Sequence, residues 1–313
     1  MTHIQTVTGL FPVEKLERVL MHEHIVLGYA GWFYDPAYAH FDHDRAERQT
    51  LTRLQQLRDL GVNLVVDPCP MELGRNPDFM QEMSVKSGVQ IMCSTGFDLQ
   101  ARGYLSAFRT ASAEEIRDIY LAEIKDGIGP AHIKPGIIKV ATGCGEITDY
   151  EDRCIQAACM ASLTAGLPII THTEKGTMGP EQAKAFRRYG VNPNRCLIGH
   201  CCANPDLRYQ KSIFDEGVYV GFDRFGNGWH GDDYFRLATL SALIQMGFSN
   251  RLFIGTDSVA FLLKPLPGNR DTRNWDPVFL FKSIIPQLKE RGATDQDIQN
   301  ITCDNAKQFF TNV

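Results

Sequence analysis

Six times along this chain of 313 residues, a helix-like stretch ends at a glycine and a short apolar run follows. Glycine just past a helix adopts the left-handed C′ conformation at little steric cost. Short, continuously apolar runs are typical of strands that are buried on both faces. The glycines are Gly61, Gly88, Gly166, Gly190, Gly217 and Gly247. This alternation predicts a parallel α/β fold.

Two further apolar runs bring the predicted strands to eight, and eight repeats predict a closed (β/α)8 barrel. The predicted strands are residues 20–25, 62–67, 89–93, 133–141, 167–172, 196–200, 218–223 and 251–257. The predicted helices are residues 46–60, 78–87, 112–126, 152–165, 181–189, 212–216, 234–246, 278–291 and 294–310. A short hairpin at residues 4–13 precedes the barrel. The alternative is an open doubly wound sheet, which usually has a glycine-rich turn after its first strand.

Two details are predicted near the end of the chain, and the chain as a whole, residues 1–313, is expected to be one domain without linkers. Pro286 should kink or start a helix. Thr294 and Asp297 resemble a capping box, with Asp in place of the usual Glu.

Bulk properties exclude several classes of partner. The net charge is −5, which gives no electrostatic attraction to nucleic acid or to anionic membranes. No apolar run is long enough for a transmembrane helix, and residues 1–18 lack a signal-peptide pattern. The nine cysteines are scattered, which favours reduced thiols and a cytoplasmic location. Adjacent Cys201 and Cys202 are poorly placed to chelate one ion.

Polar residues collect where the predicted strands end, and a parallel barrel places its chemistry at those ends. They are His22, His24, Lys139, His172, His200 and Asp257. His22 and His24, two residues apart, should point to the same face of the first strand. Singly, each residue has a structural explanation: a hydrogen-bonded core histidine, a solvent-reaching lysine, a helix cap. Together they form a zinc-type ligand set that is too large for one tetrahedral ion and suits two.

Lys139 needs separate chemistry because an ammonium group has no free lone pair. A neutral amine can react with CO2 and form a carbamate, which is an anionic, carboxylate-like group. Such a group could bridge two cations.

The motifs Met-His-Glu-His, Ile-Lys-Val, Thr-His-Thr, Ile-Gly-His, Gly-Phe-Asp-Arg-Phe-Gly and Gly-Thr-Asp-Ser occur in this order over nearly the whole chain. This pattern resembles the phosphotriesterase family of the amidohydrolase superfamily. The resemblance implies a distorted (β/α)8 TIM barrel with two divalent metal ions, most consistent with zinc, bridged by a carboxylated lysine and by a nucleophilic hydroxide.

The resemblance also implies residue roles. His22, His24 and Asp257 would bind the buried ion, and His172 and His200 the exposed one. Carboxylated Lys139 would be the bridge, and Asp257 would take the proton of the hydroxide. Arg224 should lie beside the site as a further catalytic residue. Asp223 should orient a histidine or an arginine, unless Asp223 and Arg224 form only a structural ion pair.

The substrate is expected to be a small molecule, a lactone or a carboxylic ester, with possible side activity on phosphotriesters. The alternatives are a primary organophosphate triesterase, a catalytically silent binding protein and a mononuclear deaminase. The intact ligand set argues against the binding protein, and Lys139 argues against the deaminase. Lactonases of acyl-homoserine lactones in the family carry a tyrosine soon after the third strand. Here Phe97 follows that strand and Tyr104 is the next tyrosine, which argues against acyl-homoserine lactones as substrates. The resemblance also admits a homodimer.

Three loops are candidates for substrate contacts. Aromatic residues suggest an apolar or amphipathic substrate, although aromatic residues in loops more often serve packing. Residues 258–274 are long enough for a lid. The aromatic and imidazole candidates are Trp32, Phe33, Tyr34, Phe225, Trp229 and His230. Lys264, Arg270 and Arg273 could meet a phosphate or carboxylate, or be solvated loop charges.

Overall fold

The computed structural model describes residues 2–29, 31–32, 40–102, 108–263 and 272–311. Eight parallel strands form a nearly closed barrel, in the order β11-β10-β9-β8-β7-β6-β5-β3. The strands are β1 His3–Thr6, β2 Gly9–Pro12, β3 Arg18–Leu20, β4 His24–Leu27, β5 Val62–Asp67, β6 Gln90–Gly96, β7 Ile137–Thr142, β8 Ile169–Thr173, β9 Cys196–Ile198, β10 Tyr219–Phe222, β11 Leu252–Ile254 and β12 Val259–Leu262. The predicted barrel is confirmed, and β1 and β2 form the predicted antiparallel hairpin.

Helices surround the barrel and follow the predicted order. They are α1 His43–Asp59, α2 Pro77–Ser87, α3 Ala113–Asp126, α4 Asp149–Ala165, α5 Gly179–Arg188, α6 Leu207–Phe214, α7 Asp233–Gln245, α8 Ile285–Glu290, α9 Asp295–Gln299 and α10 Asn305–Thr311. Gly88 and Gly166 end α2 and α4 with φ of 77° and 72°. The predicted helix at 212–216 was wrong in its bounds, because Asp206 caps the helix and accepts from the backbone N–H of Arg208.

The C-terminal helices contain two π turns. The first, Leu280–Ile284, leads directly into α8. Pro286 is the second residue of α8, which directly follows this π turn, so the helix continues through the proline with an irregular turn just before it. The second π turn, Asn300–Asp304, joins α9 to α10. The capping box is confirmed, since Thr294 and Asp297 each accept a hydrogen bond from the other's backbone N–H.

The barrel interior is filled by apolar side chains at its N-terminal end. Leu64 and Val66 of β5 point inward, and Ile4 of the hairpin and Phe309 of α10 cover the barrel floor. Val65 packs outward with the surrounding helices. Because side chains alternate along a strand, polar residues further along the inward face stand on top of this apolar layer.

The first and last barrel strands are both interrupted, which is where the prediction was incomplete. Residues 21–23 separate β3 from β4, so His22 is not in regular strand. In the last strand Asp257 has a left-handed φ of 51°, and the chain resumes as β12. The predicted loop 258–274 therefore begins with a strand. Parallel pairing of β12 with β4, Val259 opposite His24, joins the two ends of the barrel.

Glu23 links these two interrupted strands. The side chain is 3% exposed. Its Oε1 accepts from the N–H of Thr256 at 2.7 Å, and its Oε2 accepts from the Thr256 hydroxyl at 2.6 Å. Oε2 also accepts from the N–H and the hydroxyl of Ser258, at 2.9 and 2.8 Å. One buried carboxylate thus accepts from four donors across the seam of the barrel, where the interrupted first and last strands meet.

We expect Glu23→Gln to destabilise the metal-free protein by about 2–3 kcal/mol, because an amide cannot accept at both ends and leaves a buried donor unpaired. The free energy of unfolding is measured by urea denaturation at pH 8, where Glu23 is ionised although burial raises its pKa to about 7. The matched control is Glu115→Gln in the exposed capping box of α3, which should change stability by no more than about 0.5 kcal/mol. Equal effects of the two changes would contradict the role of Glu23.

Candidate metal centre

Strand alternation brings the predicted polar residues to one end of the barrel. Ile137 and Ile170 belong to the interior layer. Lys139 and His172 lie two residues further along the same strands and therefore point into the barrel above that layer. They line one cavity at the C-terminal end of the strands, together with four more of the predicted residues, His22, His24, His200 and Asp257. All six side chains are thus brought together.

Asp257 is the centre of this group. Its Oδ1 lies 3.3 Å from Nε2 of His24 and 3.7 Å from Nε2 of His22. Its Oδ2 lies 3.8 Å from Nε2 of His200. Nε2 of His22 is also 3.3 Å from Nζ of Lys139. The His172 ring completes the set, with its centroid 4.5 Å from that of His200.

Two members of the set have backbone conformations that side chains rarely adopt. Asp257 has a φ of 51° and His200 a φ of 62°, both in the left-handed region. Such strain is found where the surrounding structure fixes a functional geometry. Here it turns both side chains out of the regular strand direction and toward the cavity.

Each of the four histidines has a carboxylate behind the ring. Asp223, 2% exposed, lies between two of them: its Oδ1 is 2.9 Å from Nδ1 of His200 and its Oδ2 is 3.1 Å from Nδ1 of His22. It also accepts from the backbone N–H of His200. Asp223 therefore contacts histidines rather than Arg224. A carboxylate behind a histidine fixes the ring and directs the other nitrogen, which is typical of metal sites.

Asp67 serves His24 in the same way, and sequence reasoning missed it. Its Oδ1 is 2.8 Å from Nδ1 of His24, and its Oδ2 accepts from the N–H of Ile25 at 2.8 Å. Its side chain is fully buried. Asp67 is the last residue of β5, so the position of an acid at the end of a buried strand was the signal that could have found it.

His172 has a different surrounding, also missed from the sequence. Its Nε2 lies 2.9 Å from Oε2 of Glu174, and Arg102 donates to the same oxygen at 2.9 Å. Nη1 of Arg102 is 3.4 Å from Oδ2 of Asp98. Asp98, Arg102 and Glu174 all line the cavity.

Arg224 lies beside the site, as the sequence predicted. Its side chain is buried, and its Nε donates to Oδ2 of Asp257 at 2.9 Å. Burial opposes ionisation of Asp257, but His200 and Arg224 outweigh it and hold the pKa of Asp257 well below its usual range. The structural alternative, an ion pair between Asp223 and Arg224, is replaced by a pair between Arg224 and Asp257.

The protonation of the histidines reflects these partners. Burial and then Lys139 lower the pKa of His22 to about 4. Burial holds the pKa of His172 and of His200 well below the usual range, with Arg102 and Arg224 as the next causes. Burial opposes protonation of His24 too, but Asp67 and Asp257 raise its pKa to about 9. A positive charge is therefore favoured beside His24, between two carboxylates.

The donor set fits a metal ion. Ligand atoms of His22, His200 and Asp257 lie within 4.8 Å of one another. His24 and His172 extend this set on either side. A second group, Cys69 with His24 and Asp67, includes the carboxylate that already orients His24. A third, with His43, is at the surface, and Lys86 already binds its two glutamates.

The predicted loop residues have mixed outcomes. Trp229 and His230 line the cavity. Phe225 is fully buried and packs in the core, and Trp32 packs against that core. Arg273 is exposed. Phe33, Tyr34, Tyr104, Lys264 and Arg270 lie outside the described residues. Tyr29 and Trp275 also line the cavity and were not singled out from the sequence.

Two expectations from composition can be compared with the structure. All nine cysteines are free thiols, and both members of the adjacent pair Cys201 and Cys202 are buried. Across the described ranges, no helix combines the length and apolarity that crossing a membrane requires.

Comparison with known proteins identifies the family. A model of the phosphotriesterase family matches residues 2–310. The chain belongs to this family. Its members depend on a binuclear metal centre. The resemblance seen in the motifs is therefore confirmed.

Relatives in the family include hydrolases of two kinds. The chain is 30% identical to an aryldialkylphosphatase of Saccharolobus solfataricus, over 87% of this chain and 88% of that protein. It is 28% identical to a phospho-furanose lactonase of Mycoplasmopsis synoviae, over 98% of this chain and 91% of that protein. Among solved structures, an organophosphorus hydrolase from Deinococcus radiodurans has a TM-score of 0.95 at 33% identity, covering 99% of this chain and 97% of that one.

Proposed function

We propose that this protein is a metal-dependent hydrolase that cleaves a lactone or a carboxylic ester, with slower hydrolysis of phosphotriesters as a side activity. The observation that carries the proposal is the convergence of four histidines, a lysine and an aspartate at the C-terminal end of the barrel. A carboxylate behind each histidine supports metal binding, because it fixes the ring and leaves the other ring nitrogen available to an ion.

In the proposed centre, His22, His24 and Asp257 hold one ion, and His172 and His200 hold the other, with zinc the expected metal. Bound there, two divalent ions would lower the pKa of water and polarise the scissile carbonyl or phosphoryl oxygen.

Lys139 is suited to form the bridging carbamate. Burial lowers its pKa to about 8, so a sizeable fraction of the amine is neutral near that pH. Only the neutral amine has the lone pair that attacks CO2. Attack on CO2 forms the N–C bond and releases one proton. Nζ lies 3.3 Å from Nε2 of His22, so a carboxylate formed there would lie beside the proposed metal ligands.

Asp257 is the proposed proton acceptor, and Arg224 positions it. The hydrogen bond from Nε of Arg224 to Oδ2 fixes the Asp257 carboxylate and keeps it ionised. An ionised carboxylate at this point can take the proton of the attacking water. Catalysis by a positioned base needs such reach to the reacting atom.

Part of the cavity wall is charged and favours polar substituents on the substrate. Asp98, Arg102, Glu174 and Arg224 line this part, and apolar and aromatic side chains also line the cavity. Covering these charged groups with the apolar substituents of a phosphotriester would desolvate them without replacing their hydrogen bonds, which is costly. A lactone or ester with polar substituents avoids this cost. The metal ligands alone would serve a primary organophosphate triesterase equally well, which is the second candidate, and an aryldialkylphosphatase is among the relatives.

The direct test compares substrates. We expect kcat/KM of the zinc-loaded protein to be higher for at least one lactone or carboxylic ester than for a diethyl aryl phosphate. The screen uses γ- and δ-lactones with polar and with alkyl substituents, aryl esters and phosphotriesters. A phosphotriester rate far above every lactone and ester would reverse the assignment. Two bound ions without turnover of any substrate would favour a silent binding protein.

Lys139→Ala should abolish activity and reduce metal retention, because it removes the anionic bridge. We expect about two ions per chain in the wild type by elemental analysis, as in the two-metal sites of hydrolases. Short carboxylic acids added to Lys139→Ala should restore part of both properties. Lys125→Ala, at an exposed position of α3, is the control. Normal metal content and rate in Lys139→Ala would remove the bridge from the proposal.

Asp257→Asn should lower turnover by about 10²–10⁴-fold, because the amide keeps the size and one ligand oxygen but loses the basicity. Metal content is measured on the same preparation and should largely survive. The control is Asp206→Asn at the exposed N-cap of α6, where asparagine caps equally well. A near-wild-type rate with metal bound would show that Asp257 is not the proton acceptor.

A further inference from the structure

One of the four histidines presents the opposite edge of its ring to its carboxylate. His22, His24 and His200 each place Nδ1 against an aspartate. His172 instead places Nε2 against Glu174. The nitrogen that is left for a cation is therefore Nε2 in three rings and Nδ1 in His172.

The tautomer of His172 depends on what its Nε2 meets. A neutral imidazole carries one N–H, and a carboxylate can only accept. At pH 8 an imidazole with the ordinary pKa of about 6.5 is mostly neutral. A hydrogen bond between Nε2 and Oε2 of Glu174, which lie 2.9 Å apart, requires the proton on Nε2 and leaves the lone pair on Nδ1.

Arg102 favours the opposite tautomer of His172. Its Nη2 lies 3.0 Å from Nε2 of His172 and 2.9 Å from Oε2 of Glu174. A guanidinium can only donate. If Glu174 were absent, Arg102 would donate to Nε2, which would then need its lone pair, and the proton would move to Nδ1. A protonated Nδ1 cannot bind a cation.

We propose that Glu174 is a positioning residue that overrides Arg102 and keeps His172 in the tautomer with Nδ1 free for the metal. Oε2 of Glu174 accepts hydrogen bonds from both Nε2 of His172 and Nη2 of Arg102. Arg102 therefore has an acceptor other than the Nε2 lone pair. Asp98 holds the other end of the guanidinium, with Oδ2 3.4 Å from Nη1. The metal-binding consequence rests on the proposed function; the tautomer itself does not.

The first experiment reads the tautomer in metal-free protein. Long-range 1H–15N NMR of histidine-labelled protein at pH 8 distinguishes Nε2–H from Nδ1–H, and His172→Gln assigns the signal. We expect Nε2–H in the wild type and a shift toward Nδ1–H in Glu174→Ala. The additional change Arg102→Ala should lessen that shift. An unchanged tautomer in folded Glu174→Ala would overturn the proposal.

Two further variants serve as a matched control and as a conservative substitution for this test. Glu216→Ala removes a glutamate of similar exposure, 17% against 21%, that pairs with Arg187 instead of a cavity arginine. It should leave the His172 signal unchanged. Glu174→Gln keeps the shape and one acceptor oxygen, so it should fold if Glu174→Ala does not and should retain part of the Nε2–H form. A complete retention of Nε2–H in Glu174→Gln and in Glu174→Ala alike would count against a role of Glu174.

The second experiment measures metal retention. Zinc-loaded proteins are titrated with a chelator, and we expect Glu174→Ala to release one of its ions about 10–100-fold more readily, as is usual when the partner of a metal-binding histidine is lost. Glu216→Ala should match the wild type. Equal release from Glu174→Ala and the wild type would contradict the positioning role. A wild type that binds no metal would refute the proposed function, while the NMR result would still decide the tautomer.

Discussion

A buried imidazole can offer a lone pair to a cation only if its other nitrogen holds the proton, and this constraint organises the polar end of the barrel. Three carboxylates meet it for four rings: Asp67 for His24, Asp223 for both His22 and His200, and Glu174 for His172. These acids come from different strand ends, so the strands must be in register before any histidine is correctly aimed. The geometry of the candidate site is thus a consequence of barrel closure.

Residues 22–24 contain both the Glu23 side chain that helps to close the barrel and two of the proposed metal ligands. His22 and His24 point into the cavity, while Glu23 between them turns to the seam and accepts from Thr256 and Ser258. Asp257 lies between those two residues and points back to the histidines. The bonds that close the barrel therefore also hold Asp257 opposite His22 and His24. Both sets of contacts are made where the two strands are interrupted, at residues 21–23 and at Asp257.

The strand and helix order was predictable because it depends on local signals, namely glycine after a helix and apolar runs of strand length. The six predicted site residues were also found together, since strand ends of a parallel barrel meet at one face. Strand β12 and the histidine partners Asp67 and Glu174 were not predicted. Asp67 contacts a histidine that is 43 positions away, which no local pattern reveals. Glu174 is only two positions from His172, but its role also depends on Arg102, 72 positions away. The polar segment after Ile254 gave no strand periodicity. Glu174 and Arg102 matter only because both reach the same edge of His172.

The charge balance of the site explains why these buried acids are tolerable. Asp67, Asp223 and Asp257 are nearly or fully shielded from water, and uncompensated buried carboxylates are costly. Arg224 forms an ion pair with Asp257. The pKa of His24 is raised to about 9, so its ring carries a positive charge beside Asp67. Such compensation is partial, because low pKa values keep His22, His172 and His200 neutral. The fold therefore keeps a cavity in which positive charge is favoured, and a divalent cation bound there would compensate the acids and accept the lone pairs of the proposed histidine ligands.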